Sequence, residues 1–188
     1  MNNLKRYCPK CGKELAQRLN SYYECISISC QYKLTTNDII DISFKAKGIS
    51  KALSNLCPYP FTIDGIQCTS MEAFIQSLKV KDKEVQKDIC SKTAAFCYNI
   101  REMHEDWRIA QKVYWKGEEI DRHSNEYIEL LKRAYNALYD QSPTFRYALT
   151  LSKGYTLTHS IGCTNSNETL LTPDEYIKLL NELRNEKL

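Results

Sequence analysis

A chain of 188 residues, 43% hydrophobic and 26% charged, has the size and apolar content of one ordinary domain with a small appendage. Six Gly and five Pro exclude a fibrous or low-complexity protein, and a net charge of +3 permits contact with phosphates without marking a dedicated DNA binder. MNNLKRYCPKCG lacks the apolar core of a secretory signal, and no apolar run is long enough to cross a bilayer, so no membrane association and a cytoplasmic location are expected.

In a reducing cytosol, nine cysteines need a role other than disulfides. Cys8 and Cys11 hold two thiolates on a tight CPKCG knuckle, and thirteen residues later CISISC supplies Cys25 and Cys30. This spacing predicts a tetrahedral four-thiolate site for zinc. A filled thiolate shell has no open position, so the zinc is expected to be structural. KELAQRLNSYYE between the knuckles is long enough for a short β-hairpin, making residues 1–36 a zinc ribbon whose metal replaces an apolar core. Lys5, Arg6, Lys10, Lys13, Arg18 and Lys33 make it basic, for nucleic acid or simply as solvated charge. Cys57, Cys68, Cys90, Cys97 and Cys163 lack ligand spacing and read as core or semi-buried thiols.

A boundary is expected near residues 36–40. IIDISF then reads as a strand, and FTI, the Asp64-Gly65 turn and IQCT as a hairpin. Residues 71–80 predict a helix, 82–112 helix in pieces, and YWKGEEIDRHS a loop or turn. NEYIELLKRAYNALYD predicts a helix capped by Ser124, SPTFRYALTLSKG another, and YTLTHSIG a strand. Thr172-Pro173-Asp174-Glu175 marks the start of a last helix. The class is α+β, mostly helical with a few short strands.

One short stretch, TSMEAFIQSLK, points to chemistry. Helical phase places Glu72, Gln76 and Lys79 within roughly 60° of one another. Met71, Phe74, Ile75 and Leu78 fall on the neighbouring face, which predicts burial there. Two readings stand side by side. Thr69-x-x-Glu72 is a capping box in which Glu72 only bonds the Thr69 N–H, and a terminal Lys79 only complements the helix dipole. Alternatively, the polar face lines a pocket.

LSNLCPYPFTIDGIQCTSMEAFIQSLK resembles the signature of the NADAR superfamily, the YbiA-like N-glycosidases. The matching residues are Leu53, Ser54, Asn55, Pro58, Phe61, Asp64, Gly65, Ser70, Glu72, Gln76 and Lys79. YWKGEEIDRHSNEYIELLKRAYNAL and LTHSIGCTNSNETLLTPDEYIKLLNELR resemble a phage and bacterial branch, so the likeness spans residues 39–186 of an expected 39–188 domain. The resemblance implies cleavage of a ribosyl–base N-glycosidic bond in an ADP-ribose-derived substrate, such as ADP-ribosylated guanine in nucleic acid or an NAD-like nucleotide. It implies the cytoplasm of a bacterium, or of the host for a phage protein. It favours the pocket reading, with Glu72 and Lys79 catalytic and Gln76 on a substrate hydroxyl. Many relatives carry an acid and a Trp-Gly pair near the end; here His159 stands where a glutamate often falls, and it is a third acid/base candidate.

The chemistry suits those residue types. Breaking a ribosyl C–N bond requires stabilising positive charge at C1′ and protonating a poor leaving base. A carboxylate does the first or activates water, and an amine in a dry pocket can form a Schiff base with the opened sugar. Glu72 and Lys79 are roughly 10 Å apart along the axis, a span two long side chains can close on one ribose. Ser54 and Asn55 are candidates for the ribose, Phe44 and Trp115 for stacking on a base, and Arg122 for a phosphate. Two other classes remain open from sequence. One is a catalytically silent ADP-ribose or nucleotide sensor, the other a nucleic-acid-binding adaptor working through its zinc ribbon.

Overall fold

The order of elements follows from the hydrophobic periods, and a computed structural model supplies their partners. It describes residues 8, 11–18, 22–27, 29–30, 33–34, 39–99, 104 and 106–188. The hairpin expected between the cysteine knuckles forms as β1 (Leu15–Arg18) and β2 (Tyr22–Cys25), antiparallel with Leu15 opposite Cys25. A two-residue β3 (Lys33–Leu34) adds to β2. Lys5, Arg6 and Lys10 of the basic set lie outside the described residues, as do the side chains of Arg18 and Lys33 and the boundary segment 35–38.

Next come β4 (Ile39–Asp41) and a five-residue α1 (Gly48–Ala52). The strand predicted over IIDISF stops short, so Phe44 falls in a turn. β5 (Phe61–Ile63) and β6 (Ile66–Cys68) pair about Asp64-Gly65, whose positive φ values of 48° and 82° suit a tight two-residue hairpin turn. α2 (Met71–Ser77) ends three residues earlier than its pattern suggested. The polar stretch that follows is helical in pieces: α3 (Lys83–Ser91), α4 (Ala94–Asn99) and α5 (Asp106–Ala110).

The segment expected to be loop or turn does turn, but between two strands, β7 (Lys112–Trp115) and β8 (Glu118–Asp121), paired as a hairpin. Its turn places Lys116 at φ 54°, which a lysine rarely adopts. Long-range bonds hold it there: Lys116 N–H donates to Gln86 Oε1 at 2.8 Å and its ammonium to the Asp64 carbonyl at 3.1 Å. α6 (Asn125–Gln141) and α8 (Pro173–Lys187) carry the expected Ser124 and Thr172 caps, the latter a full capping box with Glu175, and α7 (Pro143–Leu151) is capped by Ser142. β9 (Thr156–Thr158) precedes α8 and runs parallel to β4, with Asp41 opposite Thr158.

Met71, Phe74, Ile75 and Leu78 are all buried, as their spacing required. Phe74 meets Phe61 and Trp115 edge-on, at 6.2 and 5.0 Å between centroids, and the core continues through Tyr127, Leu131, Phe145, Leu149 and Leu180. Burying one such aromatic side chain stabilises the fold by about 1.5–3 kcal/mol. This core locks α2, and therefore its polar face, in place. Among the described residues no helix is long and apolar enough to cross a membrane.

Candidate functional site

α2 begins at Ser70, not at Thr69. Ser70 Oγ accepts the Ala73 N–H at 3.1 Å, while the Thr69 N–H donates to the Cys90 carbonyl at 2.9 Å and its hydroxyl to the Lys92 carbonyl. The Thr69–Glu72 capping box is therefore absent, since the donor that Glu72 would satisfy is already engaged. The Glu72 carboxylate instead receives Gln76 Nε2 at 3.0 Å, one helical turn on. The other amide atom, Gln76 Oε1, is buried and finds no donor among the described residues. A buried unpaired acceptor is expensive, about 1–3 kcal/mol, and marks where a ligand's donor is useful.

Lys79 does not extend into solvent as a terminal lysine usually does: it is buried, 8% exposed. The turn that carries it is fixed from two sides. Tyr114 N–H donates to the Leu78 carbonyl at 2.8 Å. The wholly buried Gln86 spreads its amide nitrogen over the Ser77, Val80 and Tyr114 carbonyls at 3.3, 3.0 and 2.7 Å. Gln86 had no signal in the sequence, because its partners come from three separate segments.

Asn55 reaches the same helix through its backbone, whose carbonyl accepts the Glu72 N–H at 3.0 Å. Its side-chain Oδ1 accepts the Tyr135 hydroxyl at 2.9 Å. Burial, with Tyr176 next, raises the Tyr135 pKa well above its ordinary value, so the phenol stays protonated. Tyr135 stacks on Tyr176 at 6.0 Å, and Tyr176, anchored by its hydroxyl to the Leu53 carbonyl, meets the His159 ring edge-on at 5.4 Å. Tyr135 has the helical spacing of a buried position in α6, and its polar tip is the one clue in the sequence to a further role.

His159 donates from Nδ1 to the Ile42 carbonyl at 2.7 Å, which leaves Nε2 as the atom for exchange. It borders a groove of about 550 Å³ with Ser160, Asp174, Lys178, Asn181 and Asn185, and this groove is lined by none of Asn55, Glu72, Gln76 and Lys79. His159 is thus linked to the α2 cluster through Tyr176 and Tyr135, not placed in one cleft with it. Its neighbour Asp41 bonds the Ser160 hydroxyl and N–H at 2.7 and 2.8 Å, which holds the Asp41 pKa below its ordinary value.

The remaining candidates separate clearly. Ser54 shapes its turn, accepting the Leu56 N–H at 3.3 Å. Phe44 is 40% exposed, and the Lys51 ammonium lies over its ring, 4.9 Å from the centre. Trp115 is corrected from base-stacking candidate to core: it is buried against Phe74 and donates Nε1 to Asp64 at 2.8 Å. Arg122 is corrected likewise. It is 1% exposed and forks onto both oxygens of Glu175 at 3.0 and 2.7 Å, so its charge is already neutralised by a carboxylate.

In the N-terminal module the four Sγ atoms of Cys8, Cys11, Cys25 and Cys30 all lie within 4.8 Å of one another. Cys8–Cys30 and Cys11–Cys25 stand at 3.4 and 3.3 Å, close to the edge of about 3.8 Å that a tetrahedron with 2.3 Å metal–sulfur bonds requires. The Ser27 N–H donates to Cys25 Sγ at 3.4 Å. The Lys13 backbone N–H, followed by the neighbouring thiols, lowers the Cys11 pKa to about 7, whereas burial raises that of Cys25. These four cysteines can bind a metal ion.

The profile of a family described as bacteriophage protein GP30.3 matches residues 47–185, which leaves the cysteine module outside the match. An uncharacterized 17.1 kDa protein in the Gp30-rIII intergenic region of Enterobacteria phage T4 is 36% identical over 136 residues, spanning 72% of this chain and 90% of that protein. The NMR structure of the E. coli protein YbiA is similar with a TM-score of 0.56 and 15% identity, covering 81% of this chain and 86% of YbiA. The likeness to YbiA is one of fold.

Proposed function

The chain belongs to the family of bacteriophage protein GP30.3 and has a YbiA-like, NADAR-type fold, and from that premise we propose that it is an N-glycosidase hydrolysing a ribosyl–base bond in an ADP-ribose-derived substrate. The observation that carries the proposal is the α2 cluster: a carboxylate tied to an amide with a buried free acceptor, and a buried lysine on the clamped turn just beyond. ADP-ribosylated guanine in nucleic acid and NAD-like nucleotides are the substrates that fit the proposal.

Glu72 stands against C1′: its protonated form gives a proton to O4′ as the C1′–O4′ bond opens, and the carboxylate so formed stabilises the cation left at C1′ and then carries the proton shed by Nζ to the leaving base. Lys79, in its neutral form, adds through Nζ to C1′ of the opened ribosyl group. The C1′–N bond to the base breaks, the base departs with a proton, and an iminium joins C1′ to Nζ. Water then adds to C1′, the C1′–Nζ bond breaks, and free sugar aldehyde and amine are restored. The ion held by the four cysteines is proposed to be structural zinc, which takes no part in these steps. The site of action is proposed to be the cytoplasm.

The test is turnover of NAD, ADP-ribose and ADP-ribosyl-guanine oligonucleotide, followed by mass spectrometry. Release of free base, with borohydride trapping sugar on Lys79 during turnover, is the expected result. Tight binding of ADP-ribose without release of base from any substrate would replace the enzyme with a nucleotide sensor.

A further inference from the structure

We propose that Tyr135 is a positioning residue that fixes the hydrogen-bonding polarity of the site, so that it selects a ribosyl group bearing a free hydroxyl next to C1′. This rests on the N-glycosidase reading of the α2 cluster. A tyrosine hydroxyl can donate or accept, and a primary amide can turn either end to it. Here burial keeps the Tyr135 phenol protonated, and it donates to Asn55 Oδ1 at 2.9 Å. That commits the Asn55 oxygen and leaves its NH₂ as the group offered outward; among the described residues it has no acceptor. Gln76 is committed in the opposite sense. Its NH₂ is held by the Glu72 carboxylate at 3.0 Å, and its buried Oε1 is the end left over. The cluster therefore presents one donor and one acceptor, and Glu72 joins them: its backbone N–H is bonded to Asn55 and its side chain to Gln76.

A hydroxyl satisfies both ends at once, accepting from Asn55 and donating to Gln76. With the Glu72 carboxylate at C1′, the amide bonded to it lies beside the adjacent carbon, so the hydroxyl in question is the one on C2′. A 2′-deoxyribosyl group leaves Gln76 Oε1 buried and unpaired. The ring of Tyr135 is itself held by the stack on Tyr176, so its hydroxyl has a fixed aim.

The experiment is calorimetric binding of ADP-ribose and of its analogue lacking the 2-hydroxyl on the distal ribose, to the full chain and to Tyr135→Phe. Wild type is expected to bind ADP-ribose about tenfold more tightly than the deoxy analogue, the scale of a hydrogen bond whose loss strands a buried partner. Tyr135→Phe keeps the stack and lets the Asn55 amide turn, so the share of the preference that passes through Asn55 should be lost and about threefold, the share held by Gln76, should remain. Asn55→Asp keeps the bond to Tyr135 but deletes the donor, and should lose the same share even where Tyr135→Phe folds poorly. In an Asn55→Ala background, Tyr135→Phe should have no further effect on the preference. Wild-type preference retained by both Tyr135→Phe and Asn55→Asp overturns this inference alone. Failure of the wild-type chain to bind either sugar overturns the N-glycosidase reading and the inference with it.

Discussion

Gln86 offers the sharpest test of how the fold aims Lys79. Replacing it with leucine preserves volume approximately and deletes three donated bonds and one accepted bond. Two amide protons serve those three carbonyls, so about two full donor bonds are lost together with the acceptor for Lys116. At about 1–3 kcal/mol for each polar group left unsatisfied, and with some relief from entering water, the expected destabilisation is about 2–4 kcal/mol. For a chain of this size that corresponds to a melting point lower by about 5–15 °C. The same bonds close the end of α2, so the turn bearing Lys79 relaxes as well. A shift of about 1 Å in a reacting group lowers turnover roughly 10²-fold, and kcat should fall on that scale with KM little changed. Denaturant unfolding and steady-state kinetics on Gln86→Leu measure both. A stability loss below about 1 kcal/mol would refute the hydrogen-bond assignment. Full destabilisation with unchanged kcat, measured well below the melting point, would refute the claim that Gln86 positions Lys79. Gln86→Glu sharpens the sign: a carboxylate facing three carbonyl oxygens is repelled, so this variant should gain stability relative to wild type as pH falls and the introduced carboxyl protonates.

Lys79→Arg keeps a cation but cannot form the iminium, so it should abolish turnover and borohydride trapping while binding of ADP-ribose persists. Glu72→Gln should slow base release by about 10²–10⁴-fold, read by single-turnover kinetics. Arg122→Ala strands the partly buried Glu175 carboxylate and should destabilise the chain by about 3–5 kcal/mol in denaturant unfolding, whereas a phosphate-binding role would raise KM alone. Elemental analysis should find one zinc per chain, and chelation should raise hydrogen exchange in β1 and β2 before α2 and α6 respond. The lowered pKa of Asp41 means that its bonds to Ser160 stabilise the fold above the unfolded value of about 3.9 and are lost as pH falls through the lower folded value. Exchange of the Ser160 amide should accelerate only in that acid window.

What the sequence made legible was local. The helical period placed Glu72, Gln76 and Lys79 on one face, the Asp64-Gly65 pair set a hairpin turn, and the Ser124 and Thr172 caps marked two helices. The four-thiolate spacing located the metal ligands for the same reason, since each knuckle closes within a few residues. What stayed hidden depended on partners far along the chain. Thr69 and Ser70 are both cap-forming residues, and only the Cys90 and Lys92 carbonyls decide that Ser70 takes the role. The strands β7 and β8 left no clear trace beside their turn, because Lys116-Gly117 is a poor hairpin signal until Gln86 and Asp64 hold the lysine. Arg122 looked available for a phosphate because Glu175 lies 53 residues away. Both strands of the β4–β9 pair were readable, but a parallel pairing across more than a hundred residues leaves no local trace.

The hidden contacts also explain how seven residues can serve as a rigid platform. An isolated helix shorter than about 12 residues is marginal in water, so α2 persists only because its ends are satisfied from outside. At its start the Glu72 N–H is bonded to the Asn55 carbonyl, the Ala73 N–H to the Ser70 hydroxyl, and the Phe74 N–H to the Ser70 carbonyl. At its end the Ser77 hydroxyl takes the Phe74 carbonyl, Gln86 and the Val80 N–H take that of Ser77, and Tyr114 takes that of Leu78. The 53–56 loop is therefore bonded to the start of α2, α3 to its end and to the turn bearing Lys79, and the β7–β8 hairpin to that turn. A site built this way holds its long side chains on backbone fixed at both ends. Its weak points follow from the same bonds: substitutions in the 53–56 loop or at Tyr114 that disturb these backbone groups should shift Glu72 and Lys79 together, whereas substitutions on the exposed face of α3 should leave both in place.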